Sequence, residues 1–272
     1  MIKQADAMRR TAPFCSEDGS MIARPRPLDQ GGFFCYTVPA EIDRETMRTN
    51  EEERRMIQGA IFDADGTLLD SMGMWDTVGE RYLIAQGVQP PAGLRETLFP
   101  LSLAQCAVYL KDRFALPLAP AAIEAGINGV IRSFYAGEVV AKAGVLDFLR
   151  GLKAKGVPLY LATATDREVI TKGLERTGIL PLLDGLVTCG DLGVDKRTPD
   201  IFDYARDQMG TATESTWVFE DAVHAAATAA AAGYPVAGVA DPYSDQTELR
   251  KLSRIYLPDM TDFSGFYQRA TR

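Results

Sequence analysis

Histidine is nearly missing from this 272-residue chain: His224 is the only one. A Ser–His or Cys–His mechanism therefore has one candidate base, and no nucleophile elbow stands beside it. Cysteine is sparse as well. Cys15, Cys35, Cys106 and Cys189 are widely scattered with no CxxC pair, which argues against a zinc site or a disulfide frame and for free thiols in a reducing cytoplasm. No run approaches the roughly 18 uninterrupted apolar residues of a membrane span. The N-terminus lacks a basic segment followed by an apolar one, so no secretory signal is expected. Positive charge is in deficit: 29 Lys and Arg face 37 Asp and Glu, a formal net charge of −8. Nucleic-acid-binding surfaces are normally basic, so none is expected here. What remains is ordinary for a soluble globular protein, 46% hydrophobic and 24% charged, and long enough for one large domain or two modest ones.

Residues 1–55 stand apart. They contain Arg24-Pro25-Arg26-Pro27 and Gly31-Gly32 and sustain neither a helical nor a strand period, which reads as a flexible extension. A sharper reading makes Met56 the true start, because codons for the preceding Glu-Glu-Arg-Arg can spell a purine-rich ribosome-binding sequence.

From Met56 the pattern is clean. Gly59-Ala60-Ile61-Phe62 is an apolar strand run. Leu68 to about Val140 reads mainly helical, with Trp75, Val78, Tyr82 and Leu83, then Leu103, Ala107, Leu110 and Phe114, then Ile123, Ile127, Val130, Ile131 and Phe134 at helical spacing. Gln89-Pro90-Pro91 and Leu116-Pro117 divide these helices. Beyond Ala143, helices over Val145–Lys155, Arg167–Thr177, Pro199–Met209, Ala222–Ala232 and Thr247–Leu252 alternate with strands over Val157–Ala162, Gly185–Thr188, Thr216–Phe219, Val236–Val239 and Ile255–Leu257. Repeated strand–helix units with apolar strands predict an α/β fold with a parallel sheet covered on both faces. Ligands of such sheets bind beyond the carboxyl ends of the strands.

The chemistry-bearing residues fall at those ends. Asp63-Ala64-Asp65-Gly66-Thr67 follows the first strand directly. Asp and Gly are ordinary turn residues, but two carboxylates at the end of a buried strand repel and call for a cation or a proton. Glu220-Asp221 ends the strand Thr216–Phe219 and repeats the arrangement. A magnesium ion, octahedral and oxygen-seeking, suits two such pairs on one sheet edge. Thr163, Thr165 and Asp166 end the strand Val157–Ala162. A hydroxyl and backbone N–H groups entering a helix suit a phosphate, although Thr165 and Asp166 serve equally as helix caps. Lys196, before the Pro199 helix, could reach a phosphoryl oxygen and a carboxylate, yet lysine is usually a solvated surface residue.

Taken in order, Asp63-Ala64-Asp65-Gly66-Thr67, Thr163, Lys196 and Glu220-Asp221 resemble the four motifs of the haloacid dehalogenase superfamily. Leu68-Leu69-Asp70-Ser71 followed by helices resembles its β-phosphoglucomutase-like, phosphatase-rich branch. The likeness spans residues 56 to about 265. It implies a Rossmann-like core over 56–70 and 141–272, with an α-helical cap inserted over 71–140. It also implies roles. Asp63 would be the nucleophile and Asp65 the general acid/base, with its backbone carbonyl on magnesium. Thr163, Ala164 and Lys196 would hold the phosphoryl oxygens. Asp63, Asp221 and Glu220, the last directly or through water, would complete the magnesium site. Asp65 excludes the dehalogenase and phosphonatase relatives, which carry another residue there; Lys111, the one candidate Schiff-base lysine of the cap, lies on a polar face. Ala225 stands where relatives often have Gly, and His224 reads as a helix-surface or packing residue. Leu98–Leu103 lacks the Arg/Lys/Gly-rich pattern of the sugar-phosphate mutase. The implied activity is thus magnesium-dependent hydrolysis of a small phosphorylated metabolite in the cytoplasm. A phosphosugar mutase is the alternative, and a non-catalytic binding protein on the same fold a more distant one. Trp75, Phe99, Tyr109 and Phe134 read as core before pocket lining.

Overall fold

A computed structural model describes residues 56–98 and 100–272, so the expectations for residues 1–55 and for Phe99 lie outside the described residues. Six strands form one parallel sheet: β1 (Gly59–Phe62), β2 (Leu159–Thr163), β3 (Gly185–Thr188), β4 (Thr216–Glu220), β5 (Val236–Val239) and β6 (Ile255–Leu257), in the spatial order β3-β2-β1-β4-β5-β6. The order reverses at β1, which lies between β2 and β4. The carboxyl ends of these three strands carry Asp63, Thr163 and Glu220. A doubly wound sheet opens its ligand crevice at that point.

Both faces are covered, as the apolar strand runs require. Phe62, Leu161 and Phe219 point to one face, against α5 (Val145–Ala154), α6 (Arg167–Thr177) and the C-terminal α11 (Phe263–Ala270). Ile61, Ala162 and Val218 point to the other, against α8 (Asp200–Met209), the Ala-rich α9 (Val223–Ala231) and α10 (Gln246–Leu252). On the first face Phe62 stacks on Phe219 with ring centroids 4.3 Å apart, and Phe266 meets Phe219 at 5.3 Å. The four-residue α7 (Cys189–Leu192) and α11 were not expected from the sequence.

Among the described residues five helices lie between β1 and β2: α1 (Met72–Ala85), α2 (Leu94–Leu98), α3 (Leu103–Phe114) and α4 (Pro120–Gly137) form an insertion, and α5 follows it on the sheet. Their limits have local causes. Ser102 and Gln105 form a reciprocal capping box at the start of α3, and Pro120 occupies the first turn of α4. The expected breaks at Pro90-Pro91 and Pro117 separate them, though the short α2 was not foreseen. Tyr82, Leu83, Ala107, Leu110, Ile123, Ile127 and Phe134 are buried as their spacing requires. The outgoing and returning crossings of this insertion are hydrogen-bonded to each other, Asp70 N to Val140 O at 3.0 Å and Lys142 N to Leu68 O at 2.9 Å.

Candidate active site

Three carboxylates converge at the switch point. One oxygen each from Asp63, Glu220 and Asp221 lie within 4.8 Å of one another, and all three residues are buried. Asp63 is placed by the strand it leaves: its N–H still donates to Phe219 O of β4 at 3.0 Å. Glu220 closes β4 and is anchored twice, Oε2 accepting from Ala222 N at 2.9 Å and Oε1 from Lys196 Nζ at 2.7 Å. Asp221 Oδ1 accepts from the Thr67 hydroxyl at 2.9 Å. Gly66, at φ +80°, carries the chain through a left-handed turn between Asp65 and Thr67.

Lys196 is buried among them and bridges Asp63 and Glu220. This answers the usual objection to a functional lysine, that the side chain prefers water. Burial alone would lower its proton affinity, but the charges of Asp63 and Glu220 outweigh burial and raise it, so Lys196 stays cationic. The same burial pushes Asp63 up from 3.8 to about 7. Lys196 pulls it down, but desolvation aided by Glu220 and Asp65 prevails. Asp221 is likewise raised, by burial first and then by Glu220 and Asp63. With all three carboxyls ionised, one ammonium would leave an excess of two negative charges, and the raised proton affinities of Asp63 and Asp221 reflect that imbalance. A divalent cation with oxygen ligands matches both that excess and the donor set.

The Asp65 carboxylate is not part of this trio. It accepts from Ser71 Oγ at 2.6 Å and from the Tyr135 hydroxyl on Oδ1, and from Thr165 Oγ1 at 2.6 Å on Oδ2. Only its backbone carbonyl is left as a proposed metal ligand. Buried Thr163 keeps to its own turn, its Oγ1 accepting from Thr165 N at 3.1 Å. Asp166 is a helix cap, accepting from Glu168 N at 3.0 Å, whereas Thr165 is a partner of Asp65.

A cleft of about 290 Å³ opens over these groups, lined among others by Asp63, Asp65, Ala164, Lys196, Glu220 and Asp221. His224 sits at its rim, exposed on the first turn of α9, so the surface reading of this residue holds. Lys111 lies in α3 and donates to Leu118 O at 2.8 Å, outside the residues lining the cleft. Sequence reasoning did not single out Thr67, Ser71 or Tyr135 as site residues; Trp75 packs against the core as expected and also donates to the Tyr135 hydroxyl. Thr67 and Ser71 stand in the sequence patterns around Asp65, but the partners of Thr67 and Tyr135 lie 154 and 70 residues away, and no local pattern marks Tyr135.

Fold and site together describe an α/β protein with a helical insertion at the sheet edge that carries the three carboxylates. The chain belongs to the haloacid dehalogenase-like hydrolases, whose family model matches residues 57–233, and it is an enzyme of that family's phosphatase kind. A Drosophila melanogaster protein described as a probable pseudouridine-5′-phosphatase is 27% identical over 218 residues, 77% of this chain and 92% of the relative. A Thermotoga maritima protein provisionally named β-phosphoglucomutase superposes with a TM-score of 0.70 at 19% identity, covering 78% of this chain and 98% of its own. The β-phosphoglucomutase of Clostridium difficile superposes with a TM-score of 0.59 at 17% identity, covering 79% and 97%. At such identities the solved structures speak to the fold alone.

Proposed function

We propose that the protein is a magnesium-dependent phosphomonoesterase acting on a small phosphorylated metabolite through an aspartyl-phosphate. The observation that carries this reading is the convergence of Asp63, Glu220, Asp221 and Lys196 at one sheet edge, with Asp65 beside them in a separate hydrogen-bonding shell. Magnesium bound by Asp63, Glu220, Asp221 and the Asp65 carbonyl would supply neutralising charge for the phosphoryl oxygens and the nucleophile.

In the first step an Asp63 oxygen attacks phosphorus and the bond to the leaving oxygen breaks. Asp65 gives its proton to that oxygen, so the alcohol departs neutral. In the second step water attacks phosphorus, Asp65 takes the proton of the water, and the Asp63–phosphorus bond breaks to release phosphate. Asp65 is then protonated again and the cycle closes. Lys196, already held at Asp63, counters the charge on the transferring group, while Thr163 and the Ala164 backbone offer donors on its other side. Hydrolysis is favoured over transfer between sugar hydroxyls because Leu98–Leu103 offers no cationic side chain to grip a second phosphate.

Release of inorganic phosphate from p-nitrophenyl phosphate, dependent on added magnesium and abolished in Asp63→Asn, is the test. Activity surviving in Asp63→Asn would overturn the nucleophile. A positional isomer formed only with a bisphosphate primer would replace the hydrolase with a mutase.

A further inference from the structure

Asp65 is held by a group that belongs to the helical insertion. Tyr135, near the end of α4, is fully buried, and its hydroxyl donates to Asp65 Oδ1. Trp75, on α1, donates its indole N–H to that same hydroxyl oxygen at 2.9 Å, the two rings meeting edge to face at 6.4 Å. The hydrogen assignment follows from the inventory of donors. An indole nitrogen can only donate, and a phenol has one hydrogen. Trp75 therefore takes a lone pair of Tyr135, and the one phenolic hydrogen is committed to Asp65.

Asp65 gains three O–H donors in all: Ser71 and Tyr135 on Oδ1, and Thr165 on Oδ2. A carboxylate has about four acceptor positions. Three are filled, both positions of Oδ1 among them, and the remaining one belongs to Oδ2. A proton placed there displaces no existing hydrogen bond, so the acid and the carboxylate forms of Asp65 fit the same surroundings.

We infer that Tyr135 is a positioning residue for the acid/base Asp65, that Trp75 positions Tyr135 in turn, and that Oδ2 is the oxygen carrying the transferred proton. This rests on the phosphomonoesterase reading. The ring of Tyr135 is also fixed from the core side. A Cβ added at Gly173 of α6 would lie 2.8 Å from Tyr135 Cδ1, so Gly173→Ala pushes the ring without removing any polar group of the site.

The test is kcat/KM for p-nitrophenyl phosphate and phenyl phosphate, which differ in how much the leaving oxygen needs a proton. A group that orients the general acid matters more for the poorer leaving group. Tyr135→Phe should lower kcat/KM for phenyl phosphate by about tenfold more than for p-nitrophenyl phosphate, a fraction of what general acid catalysis can supply. Trp75→Phe and Gly173→Ala should act in the same direction, with melting temperatures staying near wild type for Tyr135→Phe. Equal losses on the two esters in Tyr135→Phe would make its role merely structural and overturn the inference, leaving the phosphomonoesterase reading intact. Wild-type protein that releases phosphate from neither ester with magnesium would overturn that reading, and the inference with it.

Discussion

Gly66 and Asp221 compete for one volume: a Cβ on Gly66 would overlap Oδ2 of Asp221. The turn after Asp65 therefore needs glycine for two independent reasons, the positive φ and the space the Asp221 carboxylate occupies. Gly66→Ala should cost roughly 1–2 kcal/mol for the left-handed backbone and should also displace Asp221. Chemical denaturation together with phosphate-release assays would show both losses. Full activity in a merely destabilised Gly66→Ala protein would contradict the shared volume.

Asp63 makes the metal-free fold pH-dependent. Its folded-state value, raised by burial to about 7, lies above the ordinary 3.8. The folded state thus binds this proton more tightly than the unfolded chain. That contribution to stability is complete below about pH 4 and is lost as pH rises toward 7. In EDTA, the melting temperature of the wild type should fall relative to that of Asp63→Asn across this window, and magnesium should reduce the gap. Parallel melting curves for the two proteins from pH 4 to 7 would refute it.

Lys196 is the cation among three buried carboxylates. Lys196→Met removes it and leaves the acids facing each other, which in metal-free protein should destabilise the fold by roughly 3–5 kcal/mol, the usual result of breaking a buried ion pair from one side. Magnesium should recover part of that loss without restoring turnover. Urea titrations with and without the ion measure it, and an unchanged midpoint in EDTA would count against the pairing.

Thr67 donates to Asp221, a proposed magnesium ligand, and has no proposed role of its own in bond making or proton transfer. Thr67→Val keeps the shape and removes the hydroxyl that orients this carboxylate. The magnesium concentration for half-maximal activity should rise by about 10–100-fold, as is typical when a supporting hydrogen bond to a ligand is lost, while the rate at saturating magnesium changes little. A lowered saturating rate with unaltered magnesium demand would assign Thr67 elsewhere.

The acidic residues were legible because charge is costly at the end of an apolar strand, and that cost can be read from neighbours in the chain. The helix Arg167–Thr177 was legible to the residue because Asp166 caps its start and Gly178, at φ +74°, ends it. Lys196 was not legible from its own surroundings. Only the family likeness singled it out, because its burial depends on two carboxylates from different strands. Tyr135 and Trp75 were hidden for a related reason: aromatic residues on helices read as packing until their distant acceptor is known, whereas Ser71, six residues from Asp65, reads as the start of a helix. The C-terminal helix carried a usable signal, Asp262 accepting from Gly265 N at 2.8 Å with Phe266 and Ala270 buried four residues apart, but its eight residues are too few for periodicity to stand out.

The paired crossings of the insertion bear on how the cleft is entered. Two separate tethers would let the helical unit twist as well as tilt. Here Leu68–Asp70 and Val140–Lys142 are stitched into one narrow ribbon, and Lys142 Nζ fastens its base by donating to Gly66 O, to Ala240 O at 2.6 Å and to Asp241 Oδ2 at 3.0 Å. The helical insertion therefore leaves and rejoins the core at one joined crossing, and its anchor at Gly66 lies one residue from Asp65.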